Sequence, residues 1–381
     1  MANINDYLLW RGDVPFHGVP FNDVDNLILS EFAYFLLEHA LTDDGEMTVH
    51  ELQAALCDKP EAFFYIERES NRTMLRLMAE GERFSNARIL MYRHETDPEK
   101  EKQFAAVTFL LSDHTAFIAF RGTDNTLVGW KEDFNLSFTW PVPAQVSALE
   151  YLNVLAENHP LPIRLGGHSK GGNLAVYAAA CAPVHIQDRI LSVYSNDGPG
   201  MDEATFLSDG YVRIAPRLRS IVPQSSVVGI LLQHPEDYMV VKSNAFGIFQ
   251  HSPFSWQVLR AGFEIIEELQ PGSRHLDVVM KTWLKGMSTE ERKTVVDTMF
   301  SVLNATKAAT VENLGEGILR NASAMMGAIK NLDIATRRRV RHIMGGFFSA
   351  ALKRKDAKDR ETVAVVAIEH HADATQEKLE N

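Results

Sequence analysis

The sequence predicts an α/β fold, in which a mostly parallel sheet is flanked by helices on both faces and followed by a helical C-terminal region. Apolar runs of strand length alternate with stretches of helical periodicity in the first part of the chain, which is the pattern of parallel strands joined by helices. Beyond about residue 262 helical periodicity dominates. We therefore expect one domain at 1–262, which includes N-terminal helices, and a helical region at 263–381 whose charged tail is loosely ordered.

The elements are justified in chain order. A helix is predicted within 22–40, where apolar residues recur at helical spacing, and a β-hairpin at 105–111 and 115–120, where two apolar runs flank a polar turn. A helix over 146–155 ends before Pro160. Further strands are predicted at 162–165, 190–194, 218–222 and 238–241.

Composition limits the classes of partner. The chain has 381 residues, of which 45% are hydrophobic and 23% charged, so it can bury a substantial core. A net charge of −12 disfavours nucleic acid and anionic membrane surfaces as partners. Two cysteines predict neither a disulfide framework nor a metal site, and we see no signal peptide and no transmembrane segment. These features lead us to expect a cytoplasmic protein.

The segment Gly167-His168-Ser169-Lys170-Gly171 is the most informative motif. It follows the predicted strand at 162–165 and precedes a small-residue helix at 173–180. Strand, sharp turn and helix form the context in which Gly-x-Ser-x-Gly becomes a nucleophile elbow, with glycines where side chains would collide. Ser169 is therefore the predicted nucleophile. The alternative is a glycine-rich loop whose serine only caps the helix.

A serine hydroxyl needs a base to take its proton, and in this arrangement the base is a histidine on a loop after the last strand. His251 lies just past the predicted strand at 238–241 and is the preferred base. His234 precedes that strand, and His185 follows the helix after Ser169 too closely. The other reading of His251 is an ordinary polar loop residue.

The acid that orients the histidine is less clearly indicated. Asp197 follows the strand at 190–194 and could reach a histidine held over Ser169. Asp197 also begins an Asp-Gly-Pro-Gly segment and would suit a turn equally well. Glu236 and Asp237 are weaker candidates.

The oxyanion hole requires two hydrogen-bond donors. One is the backbone N–H of Lys170, the residue after the nucleophile. Thr123 follows the strand at 115–120 and could contribute its backbone N–H and its hydroxyl. A simple polar turn is the alternative at Thr123.

These segments resemble the class 3 lipases, the fungal triacylglycerol-lipase type of α/β-hydrolase. The resemblance is carried by Ala119–Thr123, by Trp130 and Asp133, and by the Gly167–Gly172 motif, in the order and approximate spacing of that family. It covers roughly residues 20–260 and implies an α/β-hydrolase fold. It also implies Ser169 as nucleophile and Thr123 with Lys170 as oxyanion hole.

More narrowly, the chain resembles a bacterial branch of these hydrolases. This resemblance rests on longer segments: 168–175, 196–200, 222–229, and 250–251 followed by Trp256.

The chain departs from the lipase pattern at two positions. Lys170 stands where the lipases have leucine, which brings a cation next to the nucleophile unless solvent takes it up. Lipases of this class place the catalytic aspartate directly before Ile-Val-Pro, and this chain has Ser220 before Ile221. Either Asp197 has taken over the role of the acid or the triad is incomplete.

The predicted function is a serine hydrolase that cleaves carboxylic esters, with lipid esters among the candidate substrates. The substrate is a small acyl ester, and neither a cofactor nor a metal is expected. The alternative is a catalytically weak or inactive scaffold that binds a lipid or protein partner, which the missing acid before Ile221 favours. The C-terminal helices are a candidate lid, partner site or surface for homo-oligomer formation.

Overall fold

The structure, a computed structural model, describes residues 2–41, 47–59, 68–124, 127–136, 139–226, 228–229, 232, 238–245, 247–267, 290, 293–294, 297–298 and 300. The chain divides into two compact units, Met1–Thr289 and Glu290–Asn381. In the second unit the described residues are helical, with Thr294 and Thr298 hydroxyls each donating to the carbonyl four residues earlier.

In the described part of the first unit, an N-terminal helical segment is followed by three consecutive strands, and helices then separate the strands from the third to the sixth. The helices are α1 Ile4–Arg11, α2 Asp23–Phe32, α3 Val49–Leu56, α4 Arg68–Glu80, α5 Leu127–Asn135, α6 Pro143–Asn158, α7 Lys170–Cys181, α8 Val184–Gln187, α9 Glu203–Phe206 and α10 Asp209–Ile214. The strands are β1 Arg88–Asp97, β2 Lys102–Leu110, β3 Ala116–Phe120, β4 Ile163–His168, β5 Ile190–Asn196, β6 Leu218–Pro223, β7 Tyr238–Val241, β8 Val258–Leu259, β9 Gly262–Phe263 and β10 Ile265–Ile266.

Eight strands form one sheet in the order β1-β2-β3-β4-β5-β6-β7-β10. The strands from β3 to β7 are parallel, whereas β1, β2 and β10 pair antiparallel with their neighbours. In the parallel part, Gly167 of β4 lies level with Phe120 of β3 and Ser195 of β5. The residues after β3, β4 and β5 therefore meet at one edge of the sheet, where sites of parallel sheets form.

Both faces of the sheet are covered, so its central strands are apolar on both sides. On β3, Phe117 and Ala119 pack with the N-terminal helices, while Ile118 and Phe120 face the core beneath α6 and α7. This two-sided burial confirms the α/β-hydrolase fold class predicted from the sequence: a mostly parallel sheet between helical layers.

A buried ion pair joins α2 to the turn after α4 within the N-terminal helical layer. Asn22 caps α2, and Asp25 returns a bond to the Asn22 backbone. The Arg83 guanidinium lies 2.5 Å from the Asp25 carboxylate, with both side chains almost fully buried. The Tyr7 hydroxyl donates to the same carboxylate at 2.9 Å.

Several sequence expectations are confirmed and others need correction. The hairpin, the helix before Pro160 and the strands around residues 163, 190, 218 and 238 form as predicted. The helix predicted within 22–40 ends at Phe32, and a short 3₁₀ helix follows at Leu37–His39. Strands β9 and β10 reach past residue 262, where the sequence predicts the domain boundary, and the first compact unit runs to Thr289. Most of the predicted helical region at 263–381 lies outside the described residues.

No helix in the described part of the chain is long and apolar enough to cross a membrane.

Candidate active site

Ser169 lies in a sharp turn between β4 and α7. Its backbone has φ 57° and ψ −133°, a left-handed conformation that costs energy for a residue with a side chain. A methyl group on Gly167 would strike the backbone of Gly171, and one on Gly171 would strike the Phe120 carbonyl. Glycine is therefore required at both positions of the motif. Ser169 is partly exposed, whereas its neighbours His168 and Lys170 are buried.

His251 reaches this edge of the sheet from the loop after β7, at the end of a 3₁₀ helix at Gly247–His251. Its Nδ1 lies 2.6 Å from Oδ2 of Asp197, and about a third of its side chain is exposed. The ring centroid is 4.5 Å from that of His168, the residue directly before Ser169. The structure thus brings the predicted base and the preferred predicted acid into hydrogen-bond contact beside the serine turn.

The loop that carries His251 is anchored by its neighbour Gln250, which is buried. The Gln250 side chain accepts from the Ser225 N–H at 2.8 Å and donates to the Ala245 carbonyl at 3.0 Å. Its backbone carbonyl accepts the indole N–H of the fully buried Trp256 at 2.9 Å. These bonds explain why Gln250, His251 and Trp256 occur as one motif.

His168 holds the backbone of His251. Burial and the nearby His251 keep the pKa of His168 well below its usual value, so its ring is neutral. His168 Nε2 lies 2.8 Å from the His251 carbonyl oxygen and must donate there, because a carbonyl can only accept. Nδ1 is then an acceptor, and the Tyr34 hydroxyl lies 3.2 Å from it.

Asp197 follows the last residue of β5 in a left-handed conformation, with φ 49°. Its carboxylate is 1% exposed and has two further donors besides His251. Oδ1 accepts from the Ser226 hydroxyl at 2.5 Å and from the Gly229 N–H at 3.1 Å. Ser226 and Gly229, which lie in a segment that the sequence marks only as a family motif, therefore cradle this carboxylate.

The acid contact comes from a different strand than the lipase pattern implies. Ser220 lies within β6, level with Ser195 of β5, and no carboxylate is present at that position. Asp197 instead extends from the end of β5, and its N–H donates to the Ile221 carbonyl at 2.7 Å. His234, Glu236 and Asp237 lie outside the described residues. His185 is exposed on α8, before the amino end of β5 and therefore away from the edge that carries Ser169.

The loop after β3 passes directly beside Ser169. A methyl group on Gly122 would lie 2.5 Å from the His168 carbonyl and 3.1 Å from Cβ of Ser169. The hydroxyl of Thr123 donates to Asp133 on α5. The proton of this hydroxyl is therefore engaged with Asp133. The Thr123 backbone N–H remains the predicted donor.

Asp133 is an acid that the sequence names only as part of a motif. Burial raises the pKa of its carboxyl to about 6, against the opposing effects of the Lys170 charge and of the Thr123 hydrogen bond. Its bond to Thr123 ties the loop after β3 to helix α5.

The Lys170 side chain is in neither of the two environments expected from the sequence, next to the nucleophile or in solvent. The ammonium group is neither solvated nor presented to a substrate, because the residue is 1% exposed. Its Nζ lies 2.7 Å from Oε2 of the fully buried Glu132. The Lys170 backbone N–H stands at the start of α7, where the first four N–H groups have no partner within the helix.

Residues that sequence reasoning missed are of two kinds. Ser226 and Gly229 lie in a motif that was noticed without a role, so their signal was present. Glu132, Gln103 and Tyr34 have no local signal, because each acts through a contact with a distant part of the chain. Among the described residues, no group of three or more His, Cys, Asp or Glu side chains is arranged to hold a metal ion.

Three of the solved structures to which the chain is similar are lipases. Lipase II from Rhizopus niveus is 17% identical, with a TM-score of 0.37, over 63% of this chain and 83% of that one. M37 lipase is 15% identical, with a TM-score of 0.37, over 55% and 70% of the two chains. The lipase from Rhizopus microsporus var. chinensis is 14% identical, with a TM-score of 0.33, over 54% and 72%.

No curated protein matches the sequence. A family model described as Mbeg1-like matches residues 78–301, which is 224 of the 381 residues and more than half of the chain. The chain belongs to the Mbeg1-like family.

Proposed function

We propose that this protein is a serine hydrolase that cleaves carboxylic esters through an acyl-enzyme. The observation that carries the proposal is the 2.6 Å contact between His251 Nδ1 and Asp197 Oδ2 beside the strained turn of Ser169. A nucleophile, a base and a group that orients the base are what this chemistry requires. Lipid esters are included because the sequence motifs resemble those of class 3 lipases.

In the proposed reaction, Ser169 Oγ attacks the ester carbonyl carbon and His251 Nε2 takes the serine proton. Asp197 accepts from Nδ1, which selects the tautomer that leaves Nε2 free to accept, and it stabilises the imidazolium that forms. The backbone N–H groups of Thr123 and Lys170 bind the oxyanion.

His251 then gives the proton to the leaving alcohol as the carbon–oxygen bond breaks. Water then gives a proton to His251 and attacks the carbonyl carbon of the acyl-enzyme. The bond between that carbon and Ser169 Oγ breaks, His251 returns the proton to Oγ, and the carboxylic acid product leaves. These steps use only groups of this chain and water.

The rival proposal is a non-catalytic scaffold that binds a lipid or protein partner. It drew its support from the missing acid before Ile221. The contact between the Asp197 carboxylate and His251 supports the hydrolase over this rival.

The proposal is tested with a fluorophosphonate probe and with p-nitrophenyl esters of increasing acyl length. We expect the probe to label the protein at Ser169 and the wild-type protein to turn over at least one ester. Ser169→Ala should lose both properties and keep its melting temperature, because the change deletes only a partly exposed hydroxyl. Ser208→Ala, which changes a serine that caps α10 instead, is the control and should retain both. Labelling or hydrolysis by Ser169→Ala at the wild-type level would refute the assignment.

A further inference from the structure

The Lys170 ammonium group is fully engaged inside the protein. Besides Glu132, its Nζ donates to the backbone carbonyl and to the side-chain oxygen of Gln103, both at 2.9 Å. An ammonium group has three protons, so these three acceptors satisfy it. Lys170 therefore connects the first turn of α7 with β2 and with α5, where Gln103 and Glu132 lie.

Glu132 is equally committed. Its Oε2 also accepts the Gln103 N–H at 3.1 Å, and its Oε1 accepts the Ala144 N–H at 2.9 Å. The next residue on α5 is Asp133, which holds the Thr123 hydroxyl. Helix α5 is thus attached at two adjacent residues, through Glu132 to the serine turn and through Asp133 to the loop after β3.

A closed ring of contacts results. It runs from the Lys170 backbone along its side chain to Glu132, across one peptide to Asp133, and on to Thr123. The loop after β3 then returns to the serine turn, because Gly122 lies against Ser169. The two backbone N–H groups assigned to the oxyanion hole, those of Thr123 and Lys170, are both members of this ring.

Stability alone does not account for such a pair. Removing two charges from water is costly, and a buried ion pair is often matched or exceeded in stability by apolar residues of similar volume. An oxyanion hole has a stricter requirement, because a displacement of about 1 Å can lower a rate by on the order of 10². A rigid link between the two donors meets that requirement.

We propose that the Lys170–Glu132 ion pair is a positioning device for the oxyanion hole. The two donors of the oxyanion hole are the backbone N–H groups of Thr123 and Lys170. The Lys170 side chain positions the loop that carries Thr123, because it binds helix α5 and α5 binds that loop. The inference rests on the proposed ester hydrolysis. Lys170 and Glu132 side chains are positioning groups in it and do not touch the substrate.

The test uses the full chain with the double substitution Lys170→Met and Glu132→Gln. Methionine fills the volume of the lysine chain, and the single oxygen of glutamine can keep one of the two backbone N–H bonds of Glu132. No unpaired charge is left buried. We expect kcat for p-nitrophenyl esters to fall by on the order of 10², with KM changed less than about threefold, because the donors act in the transition state. Amide hydrogen exchange of residues 121–124 should accelerate by about tenfold or more, because the loop loses its anchor.

The matched control is Arg83→Met with Asp25→Asn, which removes an ion pair of equal burial outside the site. It should lower the melting temperature while kcat, measured well below both melting temperatures, stays within about twofold of wild type. Equal losses of kcat in both double variants would mean that the Lys170–Glu132 pair is only structural. Unchanged exchange at 121–124 would also overturn the inference. If the wild-type protein cleaves no ester, the proposed function fails, and the exchange measurement still decides whether the pair positions the loop.

Discussion

The substitution Asp197→Asn tests whether Asp197 orients His251. Its effect can be worked out from the hydrogen bonds around the carboxylate. Oδ1 accepts from Ser226 and Gly229, and Oδ2 accepts from His251. Asparagine has only one acceptor oxygen. If that oxygen stays with Ser226 and Gly229, two hydrogen bonds survive and the amide NH₂ faces His251. In the reverse orientation the NH₂ group faces Ser226 and Gly229. The hydrogen bonds from both residues are then lost, and the NH₂ donors face the Gly229 N–H, which is also a donor.

The favoured orientation selects the wrong tautomer of His251. An NH₂ group donates to Nδ1, so the ring proton moves to Nε2, which can no longer accept the proton of Ser169. Restoring the productive tautomer costs roughly 1–3 kcal/mol for donors left unpaired. The imidazolium also loses a charge-assisted bond of about 1.5–3 kcal/mol. Together these give about 3–6 kcal/mol, which corresponds to a loss of roughly 10²–10⁴ in kcat.

The assay is steady-state hydrolysis of a p-nitrophenyl ester, combined with a thermal melt. We expect kcat to fall by that factor and the melting temperature to change little, because asparagine tolerates a left-handed backbone as well as aspartate does. Ser226→Ala is the matched control. It removes one donor from the same carboxylate, leaves the His251 contact in place and should cost far less activity. A variant Asp197→Asn that keeps more than about a third of the wild-type kcat would refute the triad reasoning.

The remaining predictions concern the base, the acid cradle and a buried acid. His251→Ala should lower kcat by roughly 10²–10⁴, whereas the exposed His185→Ala should have little effect; a reversal in the ester assay would show that the wrong histidine was chosen. Gly229→Ala should lower kcat by about tenfold or more and destabilise the protein by roughly 1–3 kcal/mol in urea unfolding, because the alanine Cβ would lie 2.5 Å from Asp197 Oδ1. Wild-type activity and stability would show that the backbone around Asp197 can adapt. Burial raises the pKa of Asp133 to about 6, whereas the same carboxyl in the unfolded chain has a pKa near 4. The native state is therefore most stable, as far as this group is concerned, when Asp133 is protonated. That contribution to the free energy of unfolding is lost as the pH rises from about 4 through 6. Asp133→Asn should therefore gain stability relative to wild type as the pH rises from about 4 to about 6, by at most about 3 kcal/mol. A difference that does not vary with pH in urea unfolding would contradict the shift.

The serine turn and the central strands could be predicted from the sequence because their causes are local. A Gly-x-Ser-x-Gly motif between an apolar run and a small-residue helix restricts the backbone within a few residues, and φ of Ser169 is positive as that reading requires. Strands buried on both faces appear as short apolar runs wherever they lie. Strand β1 is not predicted, because it lies at the edge of the sheet. Its side chains are mostly half-buried and mixed in polarity, so they form no apolar run.

The domain boundary shows the same limit. Strand β10 contains only two residues, too few to produce a periodic pattern, and it lies beyond the predicted boundary at residue 262. Only the pairing of β10 with β7 identifies Ile265 and Ile266 as part of the sheet.

By itself, the sequence determined the fold class, the serine turn and a short set of chemically suitable partners for it, because these depend on residue type and local periodicity. It left open whether Asp197 shapes a turn or contacts the histidine, and whether Lys170 is solvated. Tertiary structure decided both, since the Asp197–His251 contact joins residues 54 positions apart and the Lys170–Glu132 contact joins residues 38 positions apart. The physical reason is that a side chain's charge, burial and hydrogen-bond partners are set by whatever the fold packs against it, and a carboxylate or an ammonium group carries no local mark of which partner that will be.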